Sequence, residues 1–155
     1  MLLSSLAARA LRTRTLVRAP IPLYRNGFGW LFGSRMLMLE HTGRSSGQIR
    51  YVCLEVVERP APDQIIIVSG FGEEAQWYRN LQADPHCFVS IGRRRHLTAH
   101  ATLLDDNESA LALGRYQRAH PRAWARLHGT IERAVNHPVT GLPMVRLTMH
   151  PPNHS

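Results

Sequence analysis

The sequence predicts a mainly β protein of the α+β class: an antiparallel barrel of about six strands with peripheral helices and an N-terminal helical extension. Short apolar runs with alternating or β-branched residues recur along residues 36–104, and another covers residues 142–149. Patterns typical of helices follow only the third and fifth runs. That order favours an antiparallel barrel over a parallel βαβ sheet. Since the chain has 155 residues and no long linker, we expect one barrel domain at residues 35–150.

The helical extension is expected at residues 1–34. Residues 1–39 contain six arginines and no acidic residue, and most leucines of residues 1–18 fall on one helical face. Three interpretations stay open: an organellar transit peptide, an amphipathic helix on the protein or on an anionic membrane, and a frayed tail. No apolar run reaches the roughly 20 residues of a membrane-spanning helix. Pro20 ends the first helix, and Pro22 suits the first turn of a second.

Strands and helices beyond the extension follow from periodicity and turn residues. The predicted strands are residues 36–41, 50–58, 64–69, 87–91, 96–104 and 142–149. The predicted helices are residues 73–83, 109–120 and 122–135, the first two preceded or begun by acidic residues that suit a helix N-terminus. The third strand is apolar on both faces, which predicts a central position. Turns are expected at residues 60–63 and at the arginine-rich residues 92–95.

The fifth strand alternates with period two, with leucines and alanines on one face and histidines and threonines on the other. His96 and His100 therefore point the same way. Four residues at about 3.3 Å each separate them by ~13 Å along the strand, too far to share a metal ion. We expect solvated or weakly packed histidines and no metal site.

Charge and cysteine content limit the function classes. The net charge is +8, and all 19 basic residues are arginines, which predicts an anionic partner such as a membrane surface, a nucleic acid or an acidic cofactor. Aromatic residues do not interleave with the arginines of residues 93–95, so we expect no specific nucleic-acid binding. Cys53 and Cys87 lie in apolar runs, which predicts buried, reduced thiols in a cytosolic protein.

Residues 41–50 combine the features of an anion-binding loop. Two glycines, two serines and two arginines lie within this stretch, between two apolar strands. Glycines let backbone N–H groups approach an oxyanion, hydroxyls add donors, and a guanidinium matches phosphate or carboxylate. The alternative is an ordinary solvated turn. Ser69-Gly70-Phe71-Gly72, directly after a buried strand, likewise predicts either a close approach to a ligand or a plain turn.

Two ordered motifs resemble those of the deazaflavin-dependent nitroreductase family. Residues 42–50, Thr-Gly-Arg-Ser-Ser-Gly-Gln-Ile-Arg, resemble its T-G-R-x-S-G-x-x-R signature. Residues 69–72, with the stretch Trp-Tyr-Arg-Asn-Leu-Gln-Ala-Asp-Pro at 77–85, resemble the second motif, S-x-G-G followed by W-Y-x-N-L-x-A-x-P. The resemblance covers residues 36–104. Phe71 replaces a small residue, and no proline precedes the tryptophan.

The resemblance implies a split β-barrel and the coenzyme F420, with FMN as the alternative cofactor. It implies that Arg44, Ser45, Ser46 and Arg50 hold the phosphate and the oligoglutamate tail. The residues that would line the ring system are Cys53, Ser69, Gly70, Phe71 and Gly72, with Trp77, Tyr78 and Asn80 completing the pocket. Core packing is the alternative for Trp77 and also for Leu81. Ser69 or Tyr78 could polarise the electron acceptor.

The expected function is that of an oxidoreductase transferring a hydride from reduced F420 to a small hydrophobic acceptor: a quinone, an enone or a nitroaromatic. The alternative is a non-catalytic split barrel that binds a flavin, haem or lipid. We expect a monomer or homodimer in the cytoplasm. The basic N-terminal helix suits peripheral attachment to the inner face of the cell membrane.

Overall fold

The computed structural model describes residues 21–26, 29, 35–70, 72–135 and 142–150. Six antiparallel strands close into a barrel with the order β1-β2-β3-β6-β5-β4. The strands are β1 (Met36–Thr42), β2 (Ile49–Ala61), β3 (Gln64–Val68), β4 (His86–Ile91), β5 (Arg94–Leu103) and β6 (Met144–Met149). The helices are α1 (Ile21–Arg25), α2 (Gln76–Ala83), α3 (Asp106–Ala119) and α4 (Pro121–Val135), with a 3₁₀ turn at Gly72–Glu74 before α2.

The predicted barrel is confirmed, with helices after β3 and after β5. All four apolar residues of β3 are buried, as expected of a central strand, and β3 pairs with β2 and β6. The barrel interior holds one large apolar cluster from the strands and α2. A second cluster lies between the outer face of β2 and β3 and helix α3, where Tyr116 donates a hydrogen bond to Glu55 at 3.1 Å.

Two predicted turns are shorter than expected because strand pairing continues into them. β2 extends through Pro60 to Ala61, which pairs with Gln64, and its ladder is irregular between Val56 and Ala61. A proline fits there because an irregular ladder leaves N–H positions unpaired. At the second turn Arg94 pairs with Ile91, so the turn itself is Gly92 and Arg93, with Gly92 at φ +59°.

The predicted alternation of β5 is confirmed. Ala99 and Ala101 are buried in the barrel, whereas His96 and His100 are exposed on its outer face. His96 stacks on Phe88, with 4.0 Å between ring centroids, and its Nδ1 lies 2.6 Å from Glu40 Oε2. No group of three or more potential metal ligands occurs within the described ranges.

Helix α1 covers the outer face of the β1–β2 hairpin. Tyr24 packs on Met38 and Cys53, and its hydroxyl donates to the Met36 carbonyl at 2.9 Å. Cys53 and Cys87 are buried and free, as predicted. The helix predicted within residues 1–18 lies outside the described residues. None of the described helices has the length and apolarity needed to cross a membrane.

Candidate active site

The loop between β1 and β2 is a compact structure held by its own backbone. Gly43 N donates to Gln48 O, and Gly47 N donates to Gly43 O, both at 2.8 Å. Gly47 adopts φ +67°, a left-handed conformation that favours glycine. The loop therefore keeps a fixed shape while Arg44, Ser45 and Ser46 stay exposed.

Helix α2 anchors this loop through Asn80 and Gln76, which lie one helical turn apart. Asn80 is buried, and its Oδ1 accepts hydrogen bonds from the Arg44 backbone N at 3.1 Å and from Arg44 Nη1 at 2.8 Å. Arg44 Nη2 donates to Gln76 Oε1 at 2.9 Å. The arginine is thus positioned by neutral oxygens, and its positive charge remains available to a ligand.

A cleft of about 690 Å³ opens between the loop, the start of β2, α1 and α2. The lining combines arginines, serine hydroxyls and amides, which we call the polar wall, with apolar side chains, which we call the apolar wall. The lining residues are Ile21, His41, Gly43, Arg44, Ser45, Ser46, Ile49, Arg50, Tyr51, Val52, Gln76 and Asn80. Within the described part of the chain, no acidic side chain lines the cleft.

His41 adds a buried but uncharged group to the polar wall. It is 6% exposed and pairs with Arg50 across the β1–β2 ladder. Burial, reinforced by the charge of Arg50, lowers the pKa of His41 to about 4. The imidazole is therefore neutral near pH 7, and the positive charge of the cleft belongs to Arg44 and Arg50.

The polar wall has the chemistry of an oxyanion site. The Arg50 side chain is exposed, and within the described residues its guanidinium makes no hydrogen bond or ion pair. Two guanidinium groups and two serine hydroxyls can supply charge-assisted hydrogen bonds to phosphate or carboxylate oxygens. These donors fit the phosphate and acidic tail of coenzyme F420.

A family model described as F420H(2)-dependent quinone reductase matches residues 23–140. The chain belongs to this family. It is therefore an oxidoreductase, and its cofactor is coenzyme F420. The resemblance to deazaflavin-dependent reductases is confirmed at this level. A comparison with curated proteins finds no significant sequence match.

Solved structures share the barrel fold of this F420H(2)-dependent family member. A structure titled F420-H2 dependent reductase (FDR-A) is 22% identical, with 73% of this chain and 93% of that chain covered and a TM-score of 0.53. A structure described as a domain-swapped dimer is also 22% identical, with coverage of 74% and 81% and a TM-score of 0.54. The heme storage protein HutZ of Vibrio cholerae is 11% identical, with coverage of 79% and 86% and a TM-score of 0.52. At these identities the likeness shows the split-barrel fold alone.

Five residues of the reductase that the sequence predicted for the cofactor line the cleft: Arg44, Ser45, Ser46, Arg50 and Asn80. The β1–β2 loop and helix α2 thus line the same cleft.

The remaining predicted residues do not line this cleft of the reductase. Cys53 is buried against Tyr24, and Trp77 and Tyr78 are buried in the barrel cluster. Ser69 is 0% exposed and donates its hydroxyl to the Gly72 carbonyl at 2.5 Å, so this hydroxyl is already used. Gly70 and Gly72 are not among the lining residues, and Phe71 lies outside the described residues. Ring contacts of these residues, and roles of Ser69 or Tyr78 toward the acceptor, stay predictions.

Sequence reasoning missed several lining residues of the reductase. Gln76 could have been found because it lies four residues before Asn80 and so shares its helical face. The role of His41 depends on Asn80, 39 residues away, which no local pattern reveals. The apolar wall was missed because it combines α1 with the beginning of β2; its residues are Ile21, Ile49, Tyr51 and Val52.

Proposed function

We propose that the polar wall binds the phosphate and oligoglutamate tail of F420H2, and that the enzyme reduces a small hydrophobic quinone. The observation that carries this proposal is the cleft in which Arg44 and Arg50 face solvent beside two serine hydroxyls, with no acidic neighbour among the described residues that line it. When bound, the reduced deazaflavin supplies the hydride.

The residues of the loop have separate tasks in this proposal. Arg44 binds an oxyanion from a fixed position, because Asn80 and Gln76 hold its guanidinium. Arg50 adds a second charge from the start of β2. Ser45 and Ser46 donate hydroxyl hydrogen bonds to the remaining oxygens. Together they orient one end of the coenzyme and leave the apolar wall for its uncharged part and for the acceptor.

The apolar wall supports an uncharged, hydrophobic acceptor. Ile49 is 60% exposed and lines the cleft with Tyr51 and Val52, so an apolar ligand bound there would cover its side chain. The family description favours a quinone over an enone or a nitroaromatic. We expect Ile49→Ser to raise KM for menadione by about 3- to 10-fold, since one buried aliphatic contact contributes about 1 kcal/mol.

A binding titration tests the anion site directly. We expect wild type to bind F420 more tightly than FMN, because the tail offers carboxylates in addition to a phosphate. Arg50→Ala should weaken F420 binding by about 10- to 100-fold, since a hydrogen bond to a charged group contributes about 1.5–3 kcal/mol. Arg79→Ala is the matched control, because Arg79 is exposed on α2 and does not line the cleft.

The titration has clear contrary outcomes. FMN binding as tight as F420 binding, unaffected by Arg50→Ala, would remove the proposed coenzyme site. Coenzyme binding without oxidation of F420H2 by menadione, an enone or a nitroaromatic would favour the non-catalytic binding module instead.

We propose further that residues 1–18 attach the enzyme to anionic lipid. The arginines and the leucine face of this segment support it. We expect co-sedimentation with vesicles containing phosphatidylglycerol but not with phosphatidylcholine vesicles, and loss of this binding when residues 1–18 are deleted. Equal binding of both variants to both vesicles would contradict the proposal.

A further inference from the structure

The environment of His41 fixes which of its ring nitrogens carries the proton. Asn80 Oδ1 accepts two hydrogen bonds from Arg44, so the amide nitrogen of Asn80 faces the imidazole. Asn80 Nδ2 lies 3.0 Å from His41 Nδ1. Because an amide nitrogen only donates, Nδ1 must accept, and the proton of the neutral ring is on Nε2.

The Nε2–H group of His41 is available to a ligand in the cleft that this residue lines. Among the described residues, no atom forms a hydrogen bond with Nε2. Over the same residues, no side-chain nitrogen or oxygen is both fully buried and without a partner. The Nε2 atom is therefore accessible, and the space that His41 lines is the cleft.

The position of this donor relates it to the anion site. Across the ladder, His41 pairs with Arg50, and through Asn80 it is joined to Arg44. The imidazole is thus linked to both arginines of the polar wall. A neutral donor close to two cations adds a hydrogen bond without adding a third charge that would repel them.

We propose that His41 is a binding residue of the anion site, donating its Nε2–H to an oxygen of the phosphate or carboxylate group that Arg44 and Arg50 bind. This inference rests on the proposed function of the cleft. Asn80 is the positioning residue. Its side-chain oxygen accepts a hydrogen bond from the guanidinium of Arg44, and its side-chain nitrogen selects the Nε2–H tautomer of His41.

Two substitutions test the contributions of the two ring nitrogens of His41 separately. The side-chain oxygen of His41→Asn can replace Nδ1 as acceptor for Asn80, but this variant has no donor at the Nε2 position. The amide nitrogen of His41→Gln can replace the Nε2–H donor, but this variant loses the Nδ1 acceptor. We expect His41→Asn to weaken F420 binding by about tenfold or more, and His41→Gln to stay within about threefold of wild type.

The source of the oxyanion is resolved by a second ligand. A derivative of F420 without the glutamate tail keeps the phosphate. If His41→Asn weakens binding of both forms by the same factor, the bond is to the phosphate. If His41→Asn weakens binding of F420 but not of the form without the tail, the bond is to a tail carboxylate.

Nitrogen-15 NMR of the histidine side chains of the folded wild-type protein supplies a readout independent of activity and of variant folding. We expect the Nε2–H tautomer in the free protein and a downfield shift of the Nε2 proton on addition of F420. An Nδ1–H tautomer, or an Nε2–H signal that coenzyme leaves unchanged, would overturn the inference. So would affinities in which His41→Gln binds F420 as weakly as His41→Asn or more weakly, because the donor that His41→Gln keeps at the Nε2 position would then contribute nothing to binding.

Failure of the inference is distinguishable from failure of the proposed function. Wild type that does not bind F420 would overturn the proposed function. Wild type that binds F420 through Arg50, with His41→Asn unchanged in affinity, would overturn only the role of His41.

Discussion

The β1–β2 loop and helix α2 carry the two motifs that resemble a known family, yet the structure uses them differently. In the loop, consecutive residues from Gly43 to Ser46 line the cleft. In α2, Gln76 and Asn80 line the cleft, whereas Trp77, Tyr78 and Leu81 are buried in the barrel. A shared sequence motif thus contains residues that pack in the core as well as residues that line a cleft, and the two must be separated residue by residue.

The helical repeat explains the division within α2. Residues four apart share a face, so Gln76 and Asn80 lie together, and the residues between them point elsewhere. A loop has no such repeat. Its residues can all face one cleft, because backbone hydrogen bonds within the loop leave their side chains outside the core. The following predictions test this contrast between a packing face and a binding face.

The largest effect is expected for the packing face. Trp77→Ala should lower the free energy of unfolding by about 3–5 kcal/mol, since Trp77 is 8% exposed and fills the barrel cluster. Urea unfolding followed by circular dichroism measures the change. Gln76 is the exposed residue directly before Trp77, and Gln76→Ala should lower the free energy of unfolding by less than about 1 kcal/mol. Equal losses for the two variants would contradict the division of α2 into two faces.

A smaller effect on stability is expected from pH, through His41. Its pKa is lowered from 6.5 to about 4 by burial and by Arg50, so the unfolded chain binds more protons than the folded one between these values. Stability therefore falls as pH decreases from about 6.5 to 4, with a contribution of up to about 3 kcal/mol from this group. Asn80 and the Arg44 guanidinium that it binds offer no acidic partner for a protonated ring.

The comparison that isolates His41 uses urea unfolding of wild type and His41→Asn at several pH values. The difference in unfolding free energy between them should change across this window and be constant above pH 7. A constant difference throughout would show that His41 does not titrate differently in the folded protein.

A moderate effect on binding is expected from Asn80→Asp. The new carboxylate would pair with Arg44 and cancel part of the positive charge offered to the coenzyme, so F420 affinity should fall by about tenfold. The same carboxylate would raise the pKa of His41, which NMR titration detects. Gln82→Glu adds the same charge at an exposed position of α2 and should leave affinity within about twofold. If Asn80→Asp and Gln82→Glu lowered F420 affinity equally, the cause would be the net charge of the protein and not the local contact with Arg44.

The order of strands and helices could be predicted because each depends on local periodicity and turn residues. The β1–β2 loop with its exposed polar side chains could be predicted for the same reason, since its glycines, serines and arginines are adjacent in sequence; its anion binding stays a prediction. Contacts between distant segments could not. The bond between His41 and Asn80, and the covering of Cys53 by Tyr24 from α1, arise only when the barrel closes. The resemblance suggested which residues matter but not which face each one occupies.

The smallest effect is expected at Cys53, where the resemblance and the packing make opposite predictions. Burial raises the pKa of the Cys53 and Cys87 thiols to about 12, so almost no thiolate forms at pH 7. Neither cysteine should react with iodoacetamide in the folded protein, as measured by mass spectrometry of the peptides. Because Cys53 packs on Tyr24 and Met38 and not on the cleft, Cys53→Ala should leave F420 affinity within about twofold, as should the control Cys87→Ala. If Cys53→Ala alone lowered F420 affinity by tenfold or more, the result would indicate that the coenzyme ring binds on the α1 side of the hairpin.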